Sequence, residues 1–310
     1  MINGVAFIVY GALRSGSTLL RLMINHHPEL ANAGEFDYIF DHIQRSPEGI
    51  RINRDALKVH FGFQNFGFVI DDSLSDDALL ADLFSQITSR KSGIQSINIH
   101  RHLDHVLDFL PNAKVIKLNR DPRDVALSSI RMGWAGTTYH GISHWIETER
   151  AWDRAASRLA PGSTLELDYA DLVKDPTYQL TRICQFAGVE FDRAMFSYPA
   201  NSTYGPIDAS SVSNWKNKIS MAEAALATSR APALIASRGY EVPGGTAAPG
   251  HIKKLHLAAK NKLGVWRHAI NKYGIGTVLL EKGSRKLGLR DLNRKIVEHR
   301  INPVTIAHLK

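Results

Sequence analysis

The chain has 310 residues and a single cysteine, Cys184. An intrachain disulfide is therefore excluded, and a reducing compartment, the cytoplasm, is the expected setting. Cys184 sits in an apolar helical pattern with Leu180, Ile183, Phe186 and Ala187, which reads as a buried structural thiol. No apolar run approaches the roughly 18 residues that a membrane span requires. The short run Val5–Tyr10 has no basic residue ahead of it, so it reads as a strand and not as a targeting signal. No grouping of His, Cys and acidic residues suggests a metal, and there is no internal repeat. Acidic residues are scarce at one end only. Residues 251–310 hold 14 Lys and Arg against Glu281, Asp291 and Glu298, a net +11, while residues 1–250 are net −3. This imbalance argues against a nucleic-acid-coating protein and for one local anion-seeking surface.

Against these absences stands the stretch Val9–Leu19. An apolar run leads into Gly11, then four residues, then Gly16-Ser17-Thr18, then a helical pattern over Leu19, Leu20, Leu22 and Met23. Strand, glycine loop and helix in this order make a phosphate-binding loop whose backbone N–H groups and helix start face an anion. Ser17 stands where a nucleoside triphosphate loop carries its lysine, and Arg14 supplies a cation from inside the loop.

A second element repeats the strand-to-helix order. Val115–Asn119 reads as a strand, Pro122 opens a helix, Arg120 lies at the strand's end and Ser128 follows eight residues on. Arg is always charged and grips phosphate bidentately. Taken alone, Asp121–Asp124 also reads as an ordinary helix cap with acidic residues in the first turn. Strands expected at about 5–10, 95–99, 114–119 and 163–168 alternate with helical patterns. This predicts an α/β fold, a phosphate-loop-type parallel sheet with helices on both faces. Ligands in such sheets bind at the carboxyl ends of the strands, where Arg14 and Arg120 both fall. Residues 43–60 and 133–150 interrupt the pattern and read as acceptor-side loops and helices. Val242–Gly250 reads as a linker, dividing a domain over 1–241 from a basic helical extension over 251–310.

Arg14-Ser15-Gly16-Ser17-Thr18 without the lysine, followed by Arg120 and Ser128, resembles the two phosphate sites of sulfotransferases that use 3′-phosphoadenosine-5′-phosphosulfate (PAPS). The loop residues Arg14 to Leu19 are similar to the family's 5′-phosphosulfate site, and Arg120 and Ser128 to its 3′-phosphate site. Two further segments fit the family's order. Asp168–Pro176 resembles a segment whose tyrosine, here Tyr169, lies near the nucleotide. Ser213–Lys218 is similar to a late Trp-Lys segment, here Trp215 and Lys216, that closes over the phosphates. Tyr169 as a packed strand-end aromatic and Trp215 as a core residue are the competing readings. The resemblance spans roughly residues 5–240.

The resemblance implies transfer of a sulfuryl group from PAPS to an acceptor hydroxyl, leaving 3′,5′-diphosphoadenosine, with no metal. It implies Glu35 as general base, because the protein-tyrosine sulfotransferases and bacterial relatives place a Glu in a matching Gly-Glu segment. The separation of Arg14 from Glu35 is that of the family, and Arg14 joins Glu35 in the catalytic set. Cytosolic small-molecule sulfotransferases use a His instead. His26 and His27 read as last-turn residues of the loop helix. One departure stands out: Asn98 occupies the position of a family lysine and His100 that of a proline, which leaves His100, Arg101 and His102 as candidate replacements. The acceptor class stays open among a carbohydrate, a small natural product and a tyrosyl peptide. Two rivals remain: a phosphate-loop kinase, disfavoured by Ser17, and a nucleotide-binding protein that lost catalysis through Asn98.

In the extension, Ile252, Leu255, Ala259, Leu263, Trp266, Ile270 and Tyr273 recur every three or four residues among Lys253, Lys254, Lys260, Lys262, Arg267 and Lys272. A basic amphipathic helix follows, and a second short one over Leu292, Ile296 and Ile301. The expectation is that the apolar stripe of Trp266, Ile270 and Tyr273 docks within the chain. Packing between subunits and contact with an anionic surface or membrane are the alternatives.

Overall fold

The computed structural model describes residues 4–307, and these divide into two compact units. The first comprises residues up to 58, 67–121 and 144–214. The second comprises 59–66, 122–143 and the chain from 215 onward.

The first unit is built on five strands: β1 (Val5–Tyr10), β2 (Leu30–Glu35), β5 (Ile94–Ile99), β6 (Lys114–Asn119) and β7 (Thr164–Asp168). They lie in the order β2-β5-β1-β6-β7, every pairing is parallel, and helices flank the sheet. Between β2 and β5 the chain inserts a two-stranded antiparallel hairpin, β3 (Ile43–Ser46) and β4 (Gly49–Ile52). The sheet's inner strands read as continuous apolar runs because both faces are covered. Phe7, Ile8, Val9 and Tyr10 of β1 are all buried, as are Val115, Ile116 and Leu118 of β6. One face packs against Leu20, Met23 and Ile24 of the loop helix (Ser17–His26) and against Leu180, Ile183 and Cys184 of helix Pro176–Ala187. Burial pushes the Cys184 thiol up to about 11, so it is an inert core side chain.

Two features of this unit depart from the sequence reading. Leu30–Glu35 forms an edge strand, where the sequence reading places none. Its sequence Leu-Ala-Asn-Ala-Gly-Glu is poor in β-branched residues, and the pairing is secured by tertiary contacts. Asn32 donates through Nδ2 to Ser96 Oγ at 2.9 Å and to Asn98 Oδ1 at 3.0 Å on the neighbouring strand. The β3–β4 hairpin replaces part of the loops and helices expected over residues 43–60, with Pro47 and Glu48 forming its turn.

In the second unit, the basic helix His251–Tyr273 forms as its periodicity predicts; the Trp266 and Tyr273 part of its stripe packs within the chain, and a second face docks as well. Leu257, Asn261, Gly264 and His268 recur along one side, and that side meets the segment Gly133–Gly136. Asn261 Oδ1 accepts from Gly136 N at 2.7 Å. A Cβ on Gly264 would stand 2.6 Å from Gly136 Cα, and one on Gly133 would stand 2.0 Å from the His268 ring. The contact is backbone against backbone, which glycine alone permits. Trp266 lies under Lys282 of helix Ile275–Lys286, and Tyr273 Oη is 3.1 Å from Thr305 Oγ1, so both are half-buried. Ile252, Leu255 and Leu263 of the expected stripe are exposed.

This docking sets two glycine substitutions in opposition. Gly264→Ala gains helix propensity of about 1 kcal/mol but forces the helix off Gly136 at an overpacking cost of about 1–3 kcal/mol. Thermal melting should show net destabilisation. Gly283→Ala, in helix Ile275–Lys286 with nothing within 4 Å of the new methyl, should stabilise. A stabilised Gly264→Ala protein would rule out the close approach.

Candidate active site

All five parallel strands end at the same edge, and each places a candidate residue there. The loop follows β1, Glu35 ends β2, His100 follows β5, Arg120 follows β6 and Tyr169 follows β7. The loop helix begins at Ser17 with no side-chain cap, leaving its first N–H groups to face outward.

The loop's shape depends on close contacts. A Cβ on Gly11 would stand 2.5 Å from Leu118 O. Gly16 has φ 100°, and a Cβ there would stand 2.3 Å from the Tyr169 ring. Tyr169 thus lies against the loop backbone, with its Oη 2.9 Å from Ser211 Oγ. Above the Tyr169 ring sits the Arg120 guanidinium, 4.2 Å from the centroid. Arg120 donates to Arg14 O at 3.1 Å and to Ser211 O at 3.0 Å, so it stands directly beside the loop. Arg14 itself takes φ 74°, a conformation that non-glycine residues adopt at a cost. Ser15 is fully buried, and its Oγ has no hydrogen-bond partner among the described residues. A buried orphan hydroxyl inside an anion loop, beside Arg14 and Arg120, fits an oxygen-rich ligand such as phosphosulfate.

The other side of the loop is held by β5. Asn98 Nδ2 donates to Ser17 O at 3.2 Å, and Ser17 Oγ lies 3.0 Å from His100 Nε2. His100 Nδ1 is 2.8 Å from Asp37 Oδ2, and Asp37 Oδ1 accepts the backbone N–H groups of His100 and Arg101. Both side chains are buried. Burial pulls the His100 pKa down, but the Asp37 charge and hydrogen bond outweigh it and carry it above the ordinary imidazole value. Burial acts upward on Asp37, yet the His100 charge and its side-chain and backbone hydrogen bonds bring the carboxyl below its usual range. In the imidazolium form both ring N–H groups donate, one to Asp37 and one to Ser17 Oγ. The three candidates for the missing lysine are thereby separated. Arg101 and His102 both engage Asp41, and His102 is half exposed, whereas His100 reaches the loop. Asp37 escaped the sequence reading. The signal was a second acid two residues after Glu35 and a His two residues after Asn98, at the ends of neighbouring strands.

Glu35 is exposed at the end of β2, in register with Asn98, and its charge acts on both His100 and Arg101. His26 and His27 end the loop helix as expected, bonded to Leu22 O and Glu190 O.

Three candidates belong to the second unit. Ser128 is buried on helix Pro122–Arg131. Trp215 is buried under the Arg123 guanidinium at 3.8 Å, with its N–H on Asp124 Oδ1 at 2.8 Å. Lys216 is exposed, 3.9 Å from Glu241.

A phosphate-type loop without lysine thus lies at the carboxyl edge of a five-stranded parallel sheet, with Arg120 and Tyr169 held against it. The sequence profile of the sulfotransferase family matches residues 6–193, and the chain belongs to that family. The sulfotransferase domain of the Synechococcus PCC 7002 olefin synthase is 21% identical. The match covers 78% of this chain and 96% of that one, with a TM-score of 0.54. A sulfotransferase domain from the curacin biosynthetic pathway is 20% identical over 78% of this chain and 100% of that one, with a TM-score of 0.52. Both likenesses concern the fold. An uncharacterized protein of Aquifex aeolicus (strain VF5) is 25% identical over 224 residues; the match covers 66% of this chain and 28% of that protein's length.

The Asp37–His100 pair has a pH signature. The depressed Asp37 contributes stability above the unfolded carboxyl value, about 4, and loses it as pH falls through the folded value. The raised His100 contributes stability below the unfolded imidazole value, about 6.5, and loses it as pH rises through the folded value. Replacing both (Asp37→Asn with His100→Gln) should cost stability most between those limits and progressively less outside them. Urea unfolding at a series of pH values measures this, and a pH-independent difference would refute it.

Proposed function

We propose that this chain transfers the sulfuryl group of PAPS to an acceptor hydroxyl, with Glu35 as general base. The observation that carries the reading is the loop Arg14–Leu19, pinned between Tyr169, Arg120 and His100 with the buried Ser15 hydroxyl inside it. When bound, PAPS supplies an activated sulfuryl group on a phosphate leaving group. Arg14, Ser15, Gly16, Ser17, Thr18 and Leu19 would hold its 5′-phosphosulfate, and Arg120 and Ser128 its 3′-phosphate. Tyr169 would lie against the nucleotide.

The chain's own residues divide the work. Backbone N–H groups at the helix start and the Arg14 guanidinium meet negative charge on the leaving phosphate. His100 holds the Ser17 hydroxyl, and the Asp37 carboxylate favours its charged form behind the loop. Glu35, exposed at the same edge, accepts the acceptor's proton. A His base is the alternative in the wider family, but both ring nitrogens of His100 are engaged within the chain, Nε2 with Ser17 Oγ and Nδ1 with Asp37. Since Arg14, Arg120 and His100 already supply cations, the proposal invokes no metal. The acceptor is a small natural product, a carbohydrate or a tyrosyl peptide, and the lone buried Cys184 is in keeping with a cytoplasmic enzyme.

Two measurements test the reading. Thermal melting should show stabilisation by 3′,5′-diphosphoadenosine far beyond that by AMP or ATP, about 2.7 kcal/mol at a hundredfold excess over Kd. Equal stabilisation by ATP would favour a kinase. Glu35→Gln should leave that stabilisation intact and lower kcat by about 10²–10⁴. Near-native turnover in the variant would remove Glu35 from the reaction. Binding without turnover in the unaltered chain would favour a non-catalytic protein.

A further inference from the structure

The first half of helix His251–Tyr273 carries an apolar edge that its own unit leaves uncovered. Ile252, Leu255 and Leu263 fall on one face of the helix and are 86%, 72% and 71% exposed. The helix docks through the opposite face, by Leu257, Asn261 and Gly264, so the exposed edge takes no part in holding it in place. Leaving three large apolar side chains in water, aligned along about 16 Å of helix, forgoes the burial that ordinarily drives such residues inward.

Basic residues border this edge on both sides. At 100° per residue, His256, Lys260 and Lys253 follow one flank and Lys262 the other. No Asp or Glu occurs between Glu241 and Glu281. Among the described residues no helix is long and apolar enough to cross a membrane. A narrow apolar edge with lysines on its flanks suits shallow burial, about 5–10 Å deep, at a headgroup boundary, where the lysine stems reach outward to phosphates.

We propose that the Ile252–Leu255–Leu263 edge seats this helix on an anionic lipid bilayer surface. Charge selects that occupant over a second copy of the chain. A two-fold contact through the edge would bring Lys253, Lys260 and Lys262 of one copy against their equals, with no acidic residue on the helix to offset them. The inference rests on the second unit alone and stands apart from the identity of the acceptor.

The test uses the full chain and vesicle flotation. Vesicles of phosphatidylcholine with about a third phosphatidylserine should capture the protein at least about tenfold better than phosphatidylcholine alone, and the capture should fall steeply as salt is raised. Two triple variants separate the contributions: Ile252→Ser with Leu255→Ser and Leu263→Ser, and Lys253→Gln with Lys260→Gln and Lys262→Gln. Each should lower capture about tenfold or more while leaving the melting temperature unchanged, since the altered side chains are exposed. Capture that survives the serine variant is attraction of charge alone and overturns the proposal. So does equal capture by neutral vesicles. A concentration-dependent dimer that the serine variant dissociates would assign the edge to a second copy instead.

Discussion

The turn from Gly11 to Ser17 can point its amides outward only because it is held from several strands at once, and the rest of the catalytic edge is arranged around that requirement. An anion loop has little structure of its own: its N–H groups must stay unsatisfied within the chain to serve a ligand. Stability therefore has to come from outside it. Here β6 supplies Leu118 O against Gly11 and Arg120 on the Arg14 carbonyl. β7 supplies the Tyr169 ring against Gly16. β5 supplies Asn98 and His100 on the carbonyl and hydroxyl of Ser17. The edge strand β2 contributes Asn32, which orients Asn98. Asp37 and His100, the charged pair behind Ser17, are buried and bonded to each other, as burial demands.

That arrangement changes how the departure at Asn98 reads. Asn98 keeps a supporting role through a hydrogen bond to the Ser17 backbone. Two residues later His100 reaches Ser17 Oγ, and the buried Asp37 carboxylate raises its pKa above the ordinary imidazole value. Arg120 supports the loop from β6 by donating to the Arg14 carbonyl. A titratable cation differs from lysine in that the charge depends on its buried partner, so Asp37 is coupled to the loop it never touches.

The parts of this molecule legible in the sequence were those written in apolar runs and in the types of charged residues. β1 and β6 showed as apolar runs because inner parallel strands are buried on both faces, β5 and β7 showed through alternating apolar residues, and the loop showed through the spacing of Gly11, Gly16 and Thr18. β2 did not show, because Leu30–Glu35 owes its pairing to side-chain amides and not to propensity. Asp37 did not show because its partner is 63 positions away and becomes a neighbour only when β2 and β5 pair. The basic helix was legible in periodicity, but its docking face was not. Hydropathy ranks Ile252, Leu255 and Leu263 above Asn261 and Gly264, whereas the actual contact depends on how closely two backbones approach. The placement of Ser128 and Trp215 with the second unit was equally hidden, since one division falls at Asp121–Pro122, between Arg120 and Ser128, and another at Asn214–Trp215.

Arg14 places stability and activity in opposition at a single position. Its left-handed backbone costs an L-residue about 1–2 kcal/mol, and glycine would relieve that cost at once. Glycine would also remove the guanidinium from the loop. A library of variants sorted only for resistance to heat would therefore enrich Arg14→Gly and drift toward proteins that fold better and carry no cation in the loop. For anyone engineering this scaffold, selection at residue 14 has to be made on turnover, with stability sought in parts of the fold that carry no such debt.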